Sequence, residues 1–169
     1  YDMEIQYESE AGTESAVQPV IVQRPEPGRT GAHWWHNYEV RLQVVDEERV
    51  LLYAGGSAML FTGKQNTFSS ASVRGHTLTR ERDGTWRWLR NGADGAPVQG
   101  VTTLDAEGRA VRWEEPSGRF LSFSYDGQGR LSAVVDQVGR ATTLAYEGDH
   151  LSAVTDASGA TWTLAYQGD

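Results

Sequence analysis

The last third of the chain repeats itself, and no other feature constrains the fold as much. Leu131-Ser132-Ala133-Val134 returns as Leu151-Ser152-Ala153-Val154, and Asp136 and Gly139 return as Asp156 and Gly159. Thr143-Leu144-Ala145-Tyr146 returns as Thr163-Leu164-Ala165-Tyr166, again at an offset of 20. A more diverged copy lies upstream at an offset of 21, where Gly108-Arg109, Gly118-Arg119 and Tyr125 match Gly129-Arg130, Gly139-Arg140 and Tyr146. A fixed period in this range is the signature of a modular array.

Each copy reads as one antiparallel hairpin. Tyr125-Asp126-Gly127-Gln128-Gly129-Arg130 is a turn, Leu131 to Val135 a strand, Asp136-Gln137-Val138-Gly139 a second turn, and Arg140 to Tyr146 the return strand. An Asp early in a turn can bond the backbone two residues on, and a Gly late in it accepts positive φ. The predicted turn residues are therefore Gly108, Gly118, Gly129, Asp136, Gly139, Gly148, Asp156 and Gly159. Leu131, Val134, Leu144, Tyr146, Leu151, Val154, Leu164 and Tyr166 are expected in packing. A strand of about six residues rises roughly 20 Å. A lone hairpin is not stable in water, so the resulting ribbon must curl, stack or be covered.

Upstream, residues 1–100 read as a β-meander, with residues 101–169 as the repeats. Tyr1, Met3, Ile5 and Tyr7 alternate with Asp2, Glu4, Gln6 and Glu8, the period of a half-buried strand. Glu8 to Glu14 reads as a polar loop, and Val17 to Val22 as a strand stopped by Arg24-Pro25-Glu26-Pro27-Gly28. An aromatic strand follows, alternating from Tyr38 onward. Val50 to Tyr53, a Gly55-Gly56 turn and Ala58 to Thr62 form the next pair, and Ser69 to Gly75 is loop. His76 to Arg82 and Thr85 to Arg90 flank Asp83-Gly84, the sequence of a tight two-residue hairpin turn. Asn91 to Gly100 reads as a Gly-rich connection. No stretch has an amphipathic helical period. The fold class is all-β: antiparallel hairpin repeats in a continuous twisted sheet.

Composition narrows the function. A net charge of −8 argues against nucleic acid and anionic membranes, both of which reward clustered Lys and Arg. The absence of Cys removes disulfides and thiolate chemistry. No apolar run approaches the roughly 20 residues that cross a bilayer. The chain opens at Tyr1 and stops at Asp169 inside a turn-like motif, so it is expected to be a piece of something longer.

Several clusters invite a chemical reading. His33-Trp34-Trp35-His36 resembles a metal or ligand site, but residues three apart in a strand face opposite ways, and no carboxylate or thiol stands close by in sequence. Strand packing is the reading they favour. Trp86 and Trp88 share a strand face and are the candidate for stacking on a sugar, against the general preference of strands for aromatic residues. Glu47-Glu48 and Glu114-Glu115 are adjacent pairs that point apart, unsuited to acid–base work. Asp126 and Asp149 lack the neighbouring acids of a calcium loop, and Ser69, Ser70 and Ser72 lack a paired His and Asp motif. No catalytic residue, cofactor or metal site is assigned.

Tyr125-Asp126-Gly127-x-Gly129-Arg130-Leu131, followed by Val134, Asp136 and Gly139-Arg140, resembles the YD repeat of RHS proteins, teneurins and the cocoon-forming components of insecticidal toxin complexes. Trp34-x-His36-Asn37-Tyr38-Glu39-Val40-Arg41-Leu42 is similar to the stretch that opens bacterial RHS cores, with His33 in place of the usual Gly and Trp35 in place of a small polar residue. The resemblance implies a spiral of hairpins closing into a hollow shell around a C-terminal toxin or effector. It implies a non-catalytic scaffold from a secreted or cell-surface bacterial protein, partnered by the rest of its own shell and by the enclosed effector. No counterpart of the family's aspartyl self-cleavage motif is present. Self-association through exposed strand edges is also expected. The alternative is a carbohydrate- or surface-binding module built on Trp86 and Trp88.

Overall fold

The computed structural model describes residues 2–9, 12–19, 38–91 and 98–166, the first two spans as backbone only. Every element is a β-strand, and every pairing is antiparallel. Strands β1 (Asp2–Ser9) and β2 (Gly12–Pro19) pair with each other, from Asp2 opposite Pro19 to Ser9 opposite Gly12. The expected polar loop from Glu8 to Glu14 is therefore shorter than its composition indicates, because Glu8, Ser9 and Gly12 to Glu14 all join the ladder.

The other 13 strands form one sheet in sequence order. These are β3 (Val40–Val44), β4 (Arg49–Ala54), β5 (Ser57–Lys64), β6 (Thr67–Ser69), β7 (His76–Arg80), β8 (Trp86–Asn91) and β9 (Val98–Leu104). They continue as β10 (Ala110–Glu114), β11 (Phe120–Tyr125), β12 (Leu131–Asp136), β13 (Ala141–Glu147), β14 (His150–Thr155) and β15 (Thr161–Thr163). Two details differ from the sequence reading. Val98 to Gly100, taken as connection, belongs to β9, and Thr67 to Ser69 forms the short strand β6. The division drawn at residue 100 thus falls inside β9, and the ladder runs through it without a break.

Burial is uneven along the sheet. Leu42, Val50, Leu52, Phe61, Phe68, Leu78, Trp86, Trp88 and Leu104 form one apolar cluster contributed by β3 to β9. Each such side chain contributes about 1.5–3 kcal/mol on burial, so most of the stability resides here. The cluster exists because the sheet curls until its first strand meets the turn after β9. The Leu42 N–H donates to the Gly108 carbonyl at 2.7 Å, and Arg41 bridges to Arg109. Tyr38, just before β3, lies against Phe123 of β11 with ring centres 6.0 Å apart.

From β10 onward the sheet is open, and buried apolar residues thin to Ala110, Leu131, Val134 and Leu151. Of the other residues expected in packing, Leu144, Tyr146, Val154 and Leu164 are half-buried. Tyr166 is 41% exposed, a correction to its expected place in the packed layer: its hydroxyl bonds Leu151 and its ring meets His150, but no buried apolar layer covers it.

Candidate functional site

The chemistry of this chain concentrates in its turns. In β4–β5 the two-residue Gly55-Gly56 connection has positive φ at both positions, the geometry of a primed hairpin turn. The Asp83-Gly84 hairpin is built differently from the sequence reading. Only Gly84 has positive φ, and the loop runs from Glu81 to Thr85, closed by Glu81 N–H to Thr85 O and Gly84 N–H to Glu81 O.

That bonding pattern is the grammar of the repeat. It recurs with Asp105, Gly108 and Arg109; with Glu115, Gly118 and Arg119; with Asp126, Gly129 and Arg130; with Asp136, Gly139 and Arg140; and with Asp156, Gly159 and Ala160. In each case the acidic residue's N–H donates to the carbonyl four positions on, and its own carbonyl accepts from the glycine N–H. Gly148 serves a shorter connection, between paired Glu147 and His150.

The acid holds the turn from within. Asp126 Oδ1 accepts from the N–H groups of Gln128 and Arg130, while Oδ2 takes Arg130 Nε at 2.7 Å. Asp136 does the same with Val138 and Arg140, while Asp156 Oδ1 accepts from the N–H groups of Ser158 and Ala160 and from the Ser158 hydroxyl. Bonds from the Arg130 backbone and then its side chain hold the Asp126 carboxyl below its ordinary value. For Asp136 burial works the other way, but the Arg140 and Val138 donors outweigh it, and for Asp156 the Ser158 hydroxyl leads.

The turns at the two ends of the strands differ in what lies over them. After β9 and β11, the arginine is covered: the Arg109 guanidinium carbon lies 4.9 Å from the centre of the Tyr125 ring, and that of Arg130 lies 4.6 Å from Tyr146. The tyrosine hydroxyls donate to main-chain carbonyls, Tyr125 to Ala110 at 2.7 Å and Tyr146 to Leu131 at 2.9 Å. In the next copy Tyr166 bonds Leu151, and His150 replaces the arginine with ring centres 4.7 Å apart. At the opposite end, the Arg119 and Arg140 side chains are 68% and 73% exposed, against 15% for Arg130. Ion pairs that open contribute little, so the covered end carries the energetic weight. Burial pushes the Tyr125 hydroxyl up to about 12.

A bulge follows each covered turn. Val111 interrupts the β9–β10 register, Ser132 that of β11–β12 and Ser152 that of β13–β14. An extra residue on one strand bends it and increases local twist. Turn, bulge and tyrosine staple therefore repeat together.

The profile of the RHS repeat family matches residues 105–142 and, overlapping them, 125–161. Residues 105–161 carry RHS repeats. No curated relative matches it. The RHS repeat is a structural unit typical of extracellular and cell-surface proteins, and no helix among the described residues is long and apolar enough to cross a membrane.

The remaining candidates do not assemble. Trp86 and Trp88 do share a face, but it is the inner one; at 2% and 5% exposure neither ring is open to a sugar. His33, Trp34, Trp35 and His36 lie outside the described residues. Glu114 and Glu115 each bind an arginine, Arg112 and Arg119 respectively. Ser70 and Ser72 bond one another. Among the described residues, no three His, Asp or Glu side chains converge as metal ligands. The motif reading found the Gly-Arg pairs but missed their tyrosine covers; the constant spacing of 15 from each tyrosine to its carbonyl partner is the signal that could have found them.

Proposed function

We propose that this chain is a segment of an RHS shell that encloses a C-terminal effector and keeps it from its surroundings until release. The observation that carries the reading is additive growth. Each copy adds strands to the edge left by the one before, with an acid–glycine turn at one end and a bulge and tyrosine staple at the other, at 20–21 residues. Such a sheet has no inherent end, and its repeated bulges give it a constant tendency to curve. Among the described residues the strand β15 has one partner, β14, and Trp162 upon it is 56% exposed. Its free edge is the place where a further hairpin, or a second copy, continues the wall.

The test is electron microscopy and limited proteolysis of the full-length gene product. A hollow wall enclosing a segment that resists protease until the wall is denatured supports encapsulation. An open sheet, with that segment digested at once, overturns it.

A further inference from the structure

Four side chains that belong to none of the repeat turns meet on the inner face of β7–β10. They are His76 on β7, Trp88 and Arg90 on β8, and Trp113 on β10. The register brings them together: His76 stands opposite Arg90, Arg90 opposite Gly100, Trp88 opposite Thr102, and Thr102 opposite Trp113. Directly paired residues share a face. The Arg90 guanidinium carbon lies 4.9 Å from the centre of the Trp88 ring and 5.4 Å from that of Trp113. His76 stands edge-on to Trp88, with ring centres 5.6 Å apart. Gly100 makes the room: a Cβ built there would come within 2.9 Å of Arg90 Nη2 and of the Glu114 carbonyl oxygen, and 3.1 Å of Trp113 Nε1. Two donors therefore converge over one glycine.

The donors have no acceptors. Arg90 Nε and Nη2, Trp88 Nε1, Trp113 Nε1 and His76 Nδ1 are all buried, and among the described residues none has a hydrogen-bond partner. Leaving a buried donor unsatisfied costs about 1–3 kcal/mol, and more where the group is charged. Among the described residues Arg90 forms no ion pair, although Arg109, Arg112, Arg119, Arg130 and Arg140 all do. Burial lowers the Arg90 pKa from its usual value, and burial followed by the Arg90 charge lowers that of His76. Both effects favour the neutral imidazole, which in one tautomer donates through Nδ1–H. Convergent N–H groups around one guanidinium repel a metal ion and match an oxyanion. The planar guanidinium fork fits the planar carboxylate, and the indoles offer apolar walls to whatever bears it.

We propose that His76, Trp88, Arg90 and Trp113 form a carboxylate-binding site on the inner face of the sheet. The site stands whether or not the sheet encloses an effector. Its carboxylate comes from a separate acid.

The test is titration of the ¹⁵N-labelled chain with sodium acetate, against sodium chloride at equal ionic strength, reading the indole N–H signals of Trp88 and Trp113. Both signals move saturably with acetate and not with chloride in the wild type. Arg90→Gln weakens acetate binding at least tenfold. Trp113→Phe, which keeps a ring and removes one donor, weakens it severalfold and stands in should Arg90→Gln fail to fold. Indole signals that stay fixed in the wild type, that respond equally to chloride, or that move as far in the folded variants overturn the site.

Discussion

Arg130 and Tyr146 lie 16 residues apart in sequence, yet the guanidinium carbon stands 4.6 Å from the ring centre while the tyrosine hydroxyl bonds the carbonyl of Leu131, the neighbour of Arg130. One tyrosine thus engages both the side chain and the main chain of the preceding turn. Tyr146→Phe removes the hydroxyl bond alone and is expected to cost about 1 kcal/mol. Tyr146→Leu also removes the ring beneath the cation and is expected to cost about 1 kcal/mol more. Urea denaturation of both variants checks the order.

Gly108 and Gly118 have nearly the same backbone, φ +81° and +83°, and different surroundings. A Cβ at Gly118 meets nothing within 4 Å, so Gly118→Ala carries the left-handed penalty alone, about 1–2 kcal/mol. A Cβ at Gly108 would also run into the Leu42 main chain, where the curled sheet closes. Gly108→Ala is therefore expected to cost roughly 3 kcal/mol or more. Equal midpoints for the two variants would contradict that closure.

The Tyr125 hydroxyl is raised from 10.0 to about 12 by burial. A raised folded-state value means its contribution is intact below pH 10 and is lost as pH rises through about 12. Thermal melts across that window are expected to fall more steeply for the wild type than for Tyr125→Phe. The lowered carboxyls of Asp126, Asp136 and Asp156 have the opposite sign. Their contribution is present above the ordinary carboxylate range and is lost as pH falls below it, so Asp126→Asn is expected to flatten the acid limb of the same melts.

The turn at Asp156 has Ala160 where four other turns have arginine. Ala160→Arg restores the missing partner, but this position is exposed, like Arg119 and Arg140. A gain of no more than about 0.5 kcal/mol is expected. A gain several times larger would show that the exposed ends of the strands matter more than the covered ones.

The turns were legible because their residue types are chemically forced. An Asp that bonds its own loop and a Gly in the left-handed region leave few alternatives, so Asp126-Gly129 and Asp136-Gly139 announce themselves. What depends on register was not legible. Thr67-Phe68-Ser69 is too short to show a period, and the glycine at 100 disguised the start of β9. The bulges at Val111, Ser132 and Ser152 exist only relative to a partner strand. Alternation placed Trp86, Trp88 and Arg90 on one face, but their meeting with His76 and Trp113 requires the alignment of four strands.

The tyrosine staple also gives the array a direction in time. Ala110 waits for Tyr125, Leu131 for Tyr146 and Leu151 for Tyr166, each arriving 15 residues later. During synthesis an emerging module therefore stays unlatched until its successor has left the ribosome. Assembly is expected to run like a zip from the amino end, with the newest hairpin latched last.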